Sequence, residues 1–263
     1  MDSASAKVTS PGDFLDLLSH HGLAPVHGRV TEQAPPQTQA TTVFAFHCAD
    51  GVLMAGDRRA TAGHMIVSQQ VDKVLTLDAY SLLAIAGVPA MAFEMARVLQ
   101  SSFEYFRRSQ LQSLSLPAKV RTLARLLKDN LPLTLQGVGV VAPLFAGLDE
   151  RAKLRGPKIY FYDPLGAQFQ AVGYAASGSG ATAIRSVLHF HQRSDLEPVS
   201  SMDRAEAVRF ALRLLNTASE MDAATGGVDP VANRFASMKL LLNTGVEDID
   251  AMEQKRHWVA AQG

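Results

Sequence analysis

A strand that opens on a hydroxyl residue can carry a nucleophile, and Ala40-Thr41-Thr42-Val43 is such a stretch. Cut before Thr41, the chain would present a hydroxyl and a free α-amine on one residue. An α-amine titrates at about pH 8, so it can act as a base near neutrality. Nucleophile and base then need no separate alignment. A Thr-Thr pair at a strand start is also ordinary β-protein sequence, so the pair needs company. Gly56-Asp57-Arg58-Arg59 supplies a carboxylate and two cations at the end of a return strand. A hairpin brings that end beside Thr41, where such charges would tune an amine; the other reading is a solvated turn. Lys73 sits inside the apolar run Val71–Leu75. It either points outward or is buried against a partner such as Asp57.

Three glycine-containing turns could supply backbone N–H groups. Ala86-Gly87 stands between a strand and a helix, where an amide can face an oxyanion; the other reading is a plain tight turn. Ser177-Gly178-Ser179-Gly180 precedes a helix and reads as an anion nest or as a plain helix start. It is neither a P-loop nor a nucleophile elbow. Asp222-Ala223-Ala224-Thr225-Gly226-Gly227 closes another helix, for which a glycine pair is a usual stop. His189 and His191 lie two apart in a helical stretch and point nearly opposite ways, so no metal site is expected there.

The elements that must hold these residues follow from periodicity. Residues 1–40 contain Pro11, Pro25, Pro35 and Pro36 and read as a leader, with one short amphipathic helix after Asp13. Thr41–His47 and Val52–Gly56 form a hairpin about Ala49-Asp50-Gly51. Val71–Leu77 and Ser81–Ala86 form a second strand pair. Ala92, Met95, Ala96, Leu99, Phe103 and Phe106 make one helical stripe, and Val120, Leu123, Leu127 and Leu131 another after Pro117. Val138–Leu148, Lys158–Tyr162 and Ala167–Gly173 read as strands. Helices follow Gly180 and Asp203, and Phe235–Leu242 is a last strand. Strand blocks alternating with helix pairs predict an α+β protein, a four-layer α/β/β/α sandwich of two antiparallel sheets.

Composition removes several function classes. The 263 residues carry 25 Lys+Arg and 25 Asp+Glu, so the chain lacks the basic footprint of a nucleic-acid binder. Cys48 is the one cysteine, which excludes an internal disulfide. The longest apolar stretches, 82–93 and 138–148, are broken by Gly and Pro and fall short of the roughly 20 residues of a membrane span. No secretion signal is visible at the N-terminus. A cytoplasmic protein with no membrane contact is expected.

In order and spacing these pieces resemble one family. From Thr41 to about Thr244 the chain is similar to proteasome β subunits, most closely the bacterial, actinobacterial-type 20S core subunit. The resemblance rests on Thr41-Thr42-Val43 after a leader, Met54-Ala55-Gly56-Asp57-Arg58-Arg59, Lys73, Ile85-Ala86-Gly87, Gly178-Ser179-Gly180 and Asp222–Gly227. It implies an N-terminal nucleophile hydrolase fold and a threonine endopeptidase without cofactor or metal. Residues 1–40 would be a propeptide removed by self-cleavage between Ala40 and Thr41, and residues 41–263 the catalytic domain. Thr41 would attack the peptide, with its own α-amine moving protons. Lys73 would supply positive charge, held by Asp57, and the Gly87 N–H would form the oxyanion hole. Ser179, Asp222 and Thr225 would fix the amine, with Arg59 in support. The substrate pocket would be Ala60, Val71, Leu75, Ile85, Pro89 and Phe93. All are apolar, so cleavage after hydrophobic residues is expected, with broad selectivity.

The resemblance also implies partners: a homo-heptameric β ring stacked with α rings (α7β7β7α7), a ring ATPase, and unfolded or modifier-tagged protein substrates. Two positions depart from the family pattern. Ala40 stands where Gly is usual, which bears on the tight backbone of self-cleavage, and Pro89 stands where small residues are frequent. Ala40 keeps open an unprocessed, non-catalytic structural ring subunit. The simpler two-component bacterial relative with six-membered rings, and an N-terminal-nucleophile amidase for small molecules, are further alternatives.

Overall fold

The computed structural model describes residues 14–22, 41–62, 65–151 and 156–259. One short helix, α1 (Phe14–His20), lies in the segment expected to be a leader. Residues 1–13 and 23–40, Ala40 among them, lie outside the described residues.

Two five-stranded antiparallel sheets form the centre. The first has the order β10-β1-β2-β11-β12, from β1 (Thr42–Cys48), β2 (Gly51–Gly56), β10 (Tyr174–Gly178), β11 (Ser237–Leu242) and β12 (Gly245–Asp248). The second has the order β5-β6-β7-β8-β9, from β5 (Val74–Asp78), β6 (Ser81–Ala84), β7 (Leu144–Gly147), β8 (Lys158–Tyr162) and β9 (Gln168–Ala171). A separate hairpin joins β3 (Ala60–Ala62) to β4 (Met65–Ser68).

Strand β1 shows why the sequence layers this way. Val43 and Ala45 enter a core with Val52, Met54, Val74, Leu82, Ala84 and Leu144, between the sheets. Phe44 and Phe46 point the other way, into a core with Ile184, Leu188, Val208, Leu212 and Leu215. Alternate residues of a strand face opposite sides. A strand buried on both therefore reads as a continuous apolar run. The outer helices of this side are α5 (Ala181–Arg193), α6 (Arg204–Met221) and α7 (Ala251–Val259). On the far side, α2 (Pro89–Gln110) and α3 (Leu116–Asp129) cover the second sheet through Leu83, Phe145, Leu99, Leu123 and Leu127. The result is the expected four-layer sandwich. The stripes of α2 and α3 are buried through Phe103 and Leu127, whereas Leu131, expected on the second stripe, falls beyond α3 and is half-buried. Helix α6 begins with a capping box between Asp203 and Glu206. A short helix, α4 (Leu131–Leu135), follows α3.

Several boundaries differ from expectation. The strand expected from Val71 starts at Val74, because Val71 N–H bonds Arg58 O and Lys73 N–H turns to a side chain of β11. The strand expected over 138–148 is only β7. Its first part is held instead by a bridge from Val141 to Gly87 and by Val88 N–H on Val140 O. The expected strand 81–86 ends at Ala84, and 167–173 contracts to Gln168–Ala171. Strands β3, β4, β10 and β12 and helix α7 were not anticipated. Strand β10 is rich in Ala, Ser and Gly and shows no β-branched signal; it is a strand because β1 offers it an edge.

Candidate active site

The hairpin β1–β2 and the edge strand β10 converge at Thr41. Thr41 is 2% exposed and its carbonyl accepts Ser179 N–H at 3.0 Å. Gly178 makes that approach possible. Its φ is +97°, and a Cβ there would stand 1.8 Å from the Thr41 carbonyl oxygen. Only glycine tolerates both conditions. The next amide, Gly180 N–H, goes to Thr42 Oγ1 at 2.9 Å. Two amides of the possible anion nest are thus spent on Thr41 and Thr42, and the segment is a clamp on the start of β1.

Beneath this start lies a buried ion pair. Asp57 follows β2, is fully buried, and its N–H bonds Thr42 O at 3.0 Å. Asp57 Oδ1 accepts Thr42 N–H at 2.8 Å and Lys73 Nζ at 2.6 Å. Asp57 Oδ2 accepts Arg59 N–H at 2.9 Å and Gly226 N–H at 3.0 Å. Lys73 is 1% exposed, and its ammonium also donates to Arg59 O at 2.6 Å. Of the two readings of Lys73, the buried and paired one is correct. One carboxylate oxygen therefore bridges the lysine to the peptide that joins Thr41 to Thr42. A buried charge stands only with partners of this kind, since removing one leaves several kcal/mol uncompensated, about 3–5 in measured cases. Burial pushes the Lys73 pKa down and Asp57 pulls it back up; the net direction is down.

A second polar chain reaches Thr42. Thr225 Oγ1 donates to Asp222 Oδ2 at 2.5 Å, and Thr42 Oγ1 lies 2.6 Å from Thr225 Oγ1. Asp222 is acceptor-only when ionised, so the direction is set: Thr42 donates to Thr225, which donates to Asp222. Burial works to raise the Asp222 pKa. Hydrogen bonds from Ser179, Thr225 and the Ala224 N–H outweigh it and hold the carboxyl below its usual range. Arg59 ties the two chains together, since its Nη1 donates to Ala223 O at 2.8 Å.

Gly87 lies where β6 hands over to α2. Its φ is +111°, and a Cβ there would lie 2.1 Å from Val140 O. Its N–H has no acceptor among the described residues. Of the pocket residues, Leu75, Ile85 and Phe93 share one apolar cluster. Ala60 starts β3, Val71 leans on Arg58 O, and Pro89 is the first residue of α2; these three lie outside that cluster. Sequence reasoning missed Thr42 as a connector, and with it Ser237, which accepts from Lys73 N–H and Val74 N–H. A polar residue at a fully buried strand position was the available signal for both.

Comparison with known proteins now bears on this geometry. The family model described as proteasome subunit matches residues 37–232. The chain is 37% identical over 246 residues to a proteasome subunit beta of Acidimicrobium ferrooxidans, covering 91% of this chain and 85% of that one. It is 38% identical over 213 residues to one from Stackebrandtia nassauensis, covering 80% and 73%. One from Streptomyces griseus is 34% identical over 260 residues, covering 94% and 87%. The chain belongs to the proteasome subunit family. A proteasome subunit works as part of an assembly, and proteolysis is the activity of that assembly. No helix among the described residues is long and apolar enough to cross a membrane.

Proposed function

We propose that this subunit is a threonine endopeptidase of the proteasome core, with Thr41 as nucleophile once residues 1–40 are removed. The observation that carries the reading is the shared Asp57 oxygen, which holds Lys73 Nζ at 2.6 Å and the Thr42 amide at 2.8 Å. A structural subunit has no use for a buried lysine held beside the first residue of the mature chain. Neither the six-membered-ring relative nor the small-molecule amidase has an observation of its own in its favour.

The steps follow from the groups present. Cleavage after Ala40 frees the Thr41 α-amine, which takes the proton of the Thr41 hydroxyl. The oxygen attacks the scissile carbonyl, and Lys73 stabilises the developing negative charge electrostatically. The Gly87 N–H receives the carbonyl oxygen of the tetrahedral state. The amine returns its proton to the leaving nitrogen, giving an acyl ester, and water then hydrolyses the ester. Ser179, Asp222 and Thr225 orient the freed amine, and Arg59 supports Asp57 and Lys73. Ala60, Val71, Leu75, Ile85, Pro89 and Phe93 form the side-chain pocket. Their apolar surface favours cleavage after hydrophobic residues with modest discrimination, about 1–3 kcal/mol per methylene.

The same reading gives the chain a homo-heptameric β ring between α rings, an ATPase that feeds it unfolded or tagged proteins, and a cytoplasmic setting. The intact mass of the subunit after co-assembly with its α partner tests the reading. Loss of residues 1–40 together with Thr41-dependent hydrolysis of hydrophobic peptides is the expected result. Full-length chain persisting in assembled, inactive particles overturns it in favour of the structural subunit.

A further inference from the structure

Strand β5 is an edge strand of its sheet, so the amides at its start have no neighbouring strand to bond. They are not left unpaired. Ser237, the first residue of β11 in the other sheet, accepts Val74 N–H at 2.9 Å and Lys73 N–H at 3.2 Å on its Oγ. Its own hydroxyl proton goes to Asp72 Oδ1. A serine hydroxyl has one donor and two acceptor lone pairs, and here all three are used. Ser237 is fully buried, whereas Asp72 is exposed. The Lys73 carbonyl in turn accepts Ile85 N–H at 2.9 Å. Both ends of the Lys73 backbone are therefore pinned, one by each sheet, while its ammonium is pinned by Asp57 and Arg59 O.

We infer that Ser237, oriented by Asp72, is a positioning residue for Lys73: it fixes the backbone from which the ammonium reaches the Asp57 oxygen shared with the Thr41–Thr42 peptide. The inference rests on the proposed role of Lys73. It assigns the two residues no contact with substrate. Asp72 turns the hydroxyl proton away from the strand, which leaves both lone pairs for the two amides. Without the hydroxyl, two buried N–H groups lose their acceptor and the start of β5 must move to find others. A displacement near 1 Å in a reacting constellation can cost about a hundredfold in rate, so a partial shift predicts a loss of about tenfold.

The test uses the full chain co-assembled with its α partner, in the variants Ser237→Ala, Ser237→Thr, Asp72→Ala and Asp72→Asn. Leader removal is followed by intact mass, and peptide hydrolysis is resolved into kcat and KM. Ser237→Ala is expected to lower kcat about tenfold and to change KM less than kcat, because the lost hydroxyl bonds Lys73, Val74 and Asp72 rather than a pocket residue. Ser237→Thr, which keeps the hydroxyl, is expected to regain most of the loss. Asp72→Asn, which keeps an acceptor, is expected to lose less than Asp72→Ala. A Ser237→Ala particle that is processed and has unchanged kcat overturns the inference, as does an equal loss in Ser237→Thr. If Ser237→Ala does not assemble, the surface variant Asp72→Ala decides: reduced kcat supports the inference and unchanged kcat overturns it. Hydrolysis that survives Thr41→Ala is a different failure, since it removes the proposed nucleophile itself and the inference with it.

Discussion

Burial pulls the Lys73 pKa below its ordinary 10.5, and Asp57 only partly restores it. In the folded state Lys73 thus gives up its proton at lower pH than in the unfolded chain. Between those two values the unfolded chain binds more protons, so this group makes stability rise, not fall, with pH. Catalysis goes the other way, because the proposed role needs the charged form. Peptide hydrolysis by the processed subunit is therefore expected to decline on the alkaline side with a midpoint below 10.5, with no loss of thermal stability from this group in that window. A pH profile measured beside a melting curve checks this; an alkaline limb at or above 10.5 would exclude Lys73 as its source. Asp222 acts at the opposite end. Its lowered pKa contributes stability above the unfolded carboxyl value of 3.8, and that contribution is lost as pH falls through the folded value. At this scale the sequence was informative where residue types are chemically rare. A lysine in an apolar run and an Asp after a hairpin both stood out. Thr42 and Ser237 did not, because hydroxyl residues are common in strands and only their buried partners give them a role.

The turn after β6 sets what one glycine must do. Gly87 combines φ +111° with a backbone oxygen 2.1 Å from where a Cβ would sit. Gly87→Ala is expected to cost about 1–3 kcal/mol from the backbone conformation alone. For a chain of this size each kcal/mol lowers the melting temperature by roughly 2–4 °C. The same change displaces the amide proposed to face the oxyanion, so kcat should fall as well. Melting and hydrolysis measured on one preparation check the pair of effects; a variant with both values unchanged contradicts the geometry described for this turn. Composition and periodicity exposed these elements, since the stripes of α2, α3 and α6 each bury one face and the apolar runs of β1, β2 and β6 are buried on both. It missed β3, β4, β10 and β12. Those strands are short, and in β3 and β10 small residues dominate. They are strands because a neighbour or a turn completes their hydrogen bonds, which no local pattern records.

Across the whole molecule helix α1, within the proposed leader, packs on the body that follows it. Leu15 of α1 is 6% exposed and joins the core formed by α2, α3 and the second sheet. Leu18 packs against the same core, and Phe14 lies 5.6 Å from the ring of Tyr105. Truncating a buried leucine to alanine costs about 2 kcal/mol or more. Since 1.4 kcal/mol is tenfold in an equilibrium, Leu15→Ala should raise the open population of α1 at least about tenfold. Limited proteolysis of the unprocessed chain should show faster cleavage within residues 14–22, with the body of the protein unaffected. Equal cleavage rates in the variant and the parent chain would show that this contact does not hold the leader.

Residue type and order alone determined the layered α+β class and the outer helices and marked Thr41, Asp57 and Lys73 as candidates, whereas Asp222 and Thr225 entered only through the resemblance to the family. Those features are written in patterns a few residues long or in rare residue placements, and burial of apolar faces leaves one architecture that satisfies them. Tertiary structure decided the rest. The lysine turned inward because a carboxylate waited there, the glycine-rich segment before α5 became a clamp because β1 needed its amides, and Ser237 met two amides at the start of a strand in the opposite sheet. Each depends on groups far apart in sequence meeting within hydrogen-bond distance, and that meeting exists only once both sheets have packed.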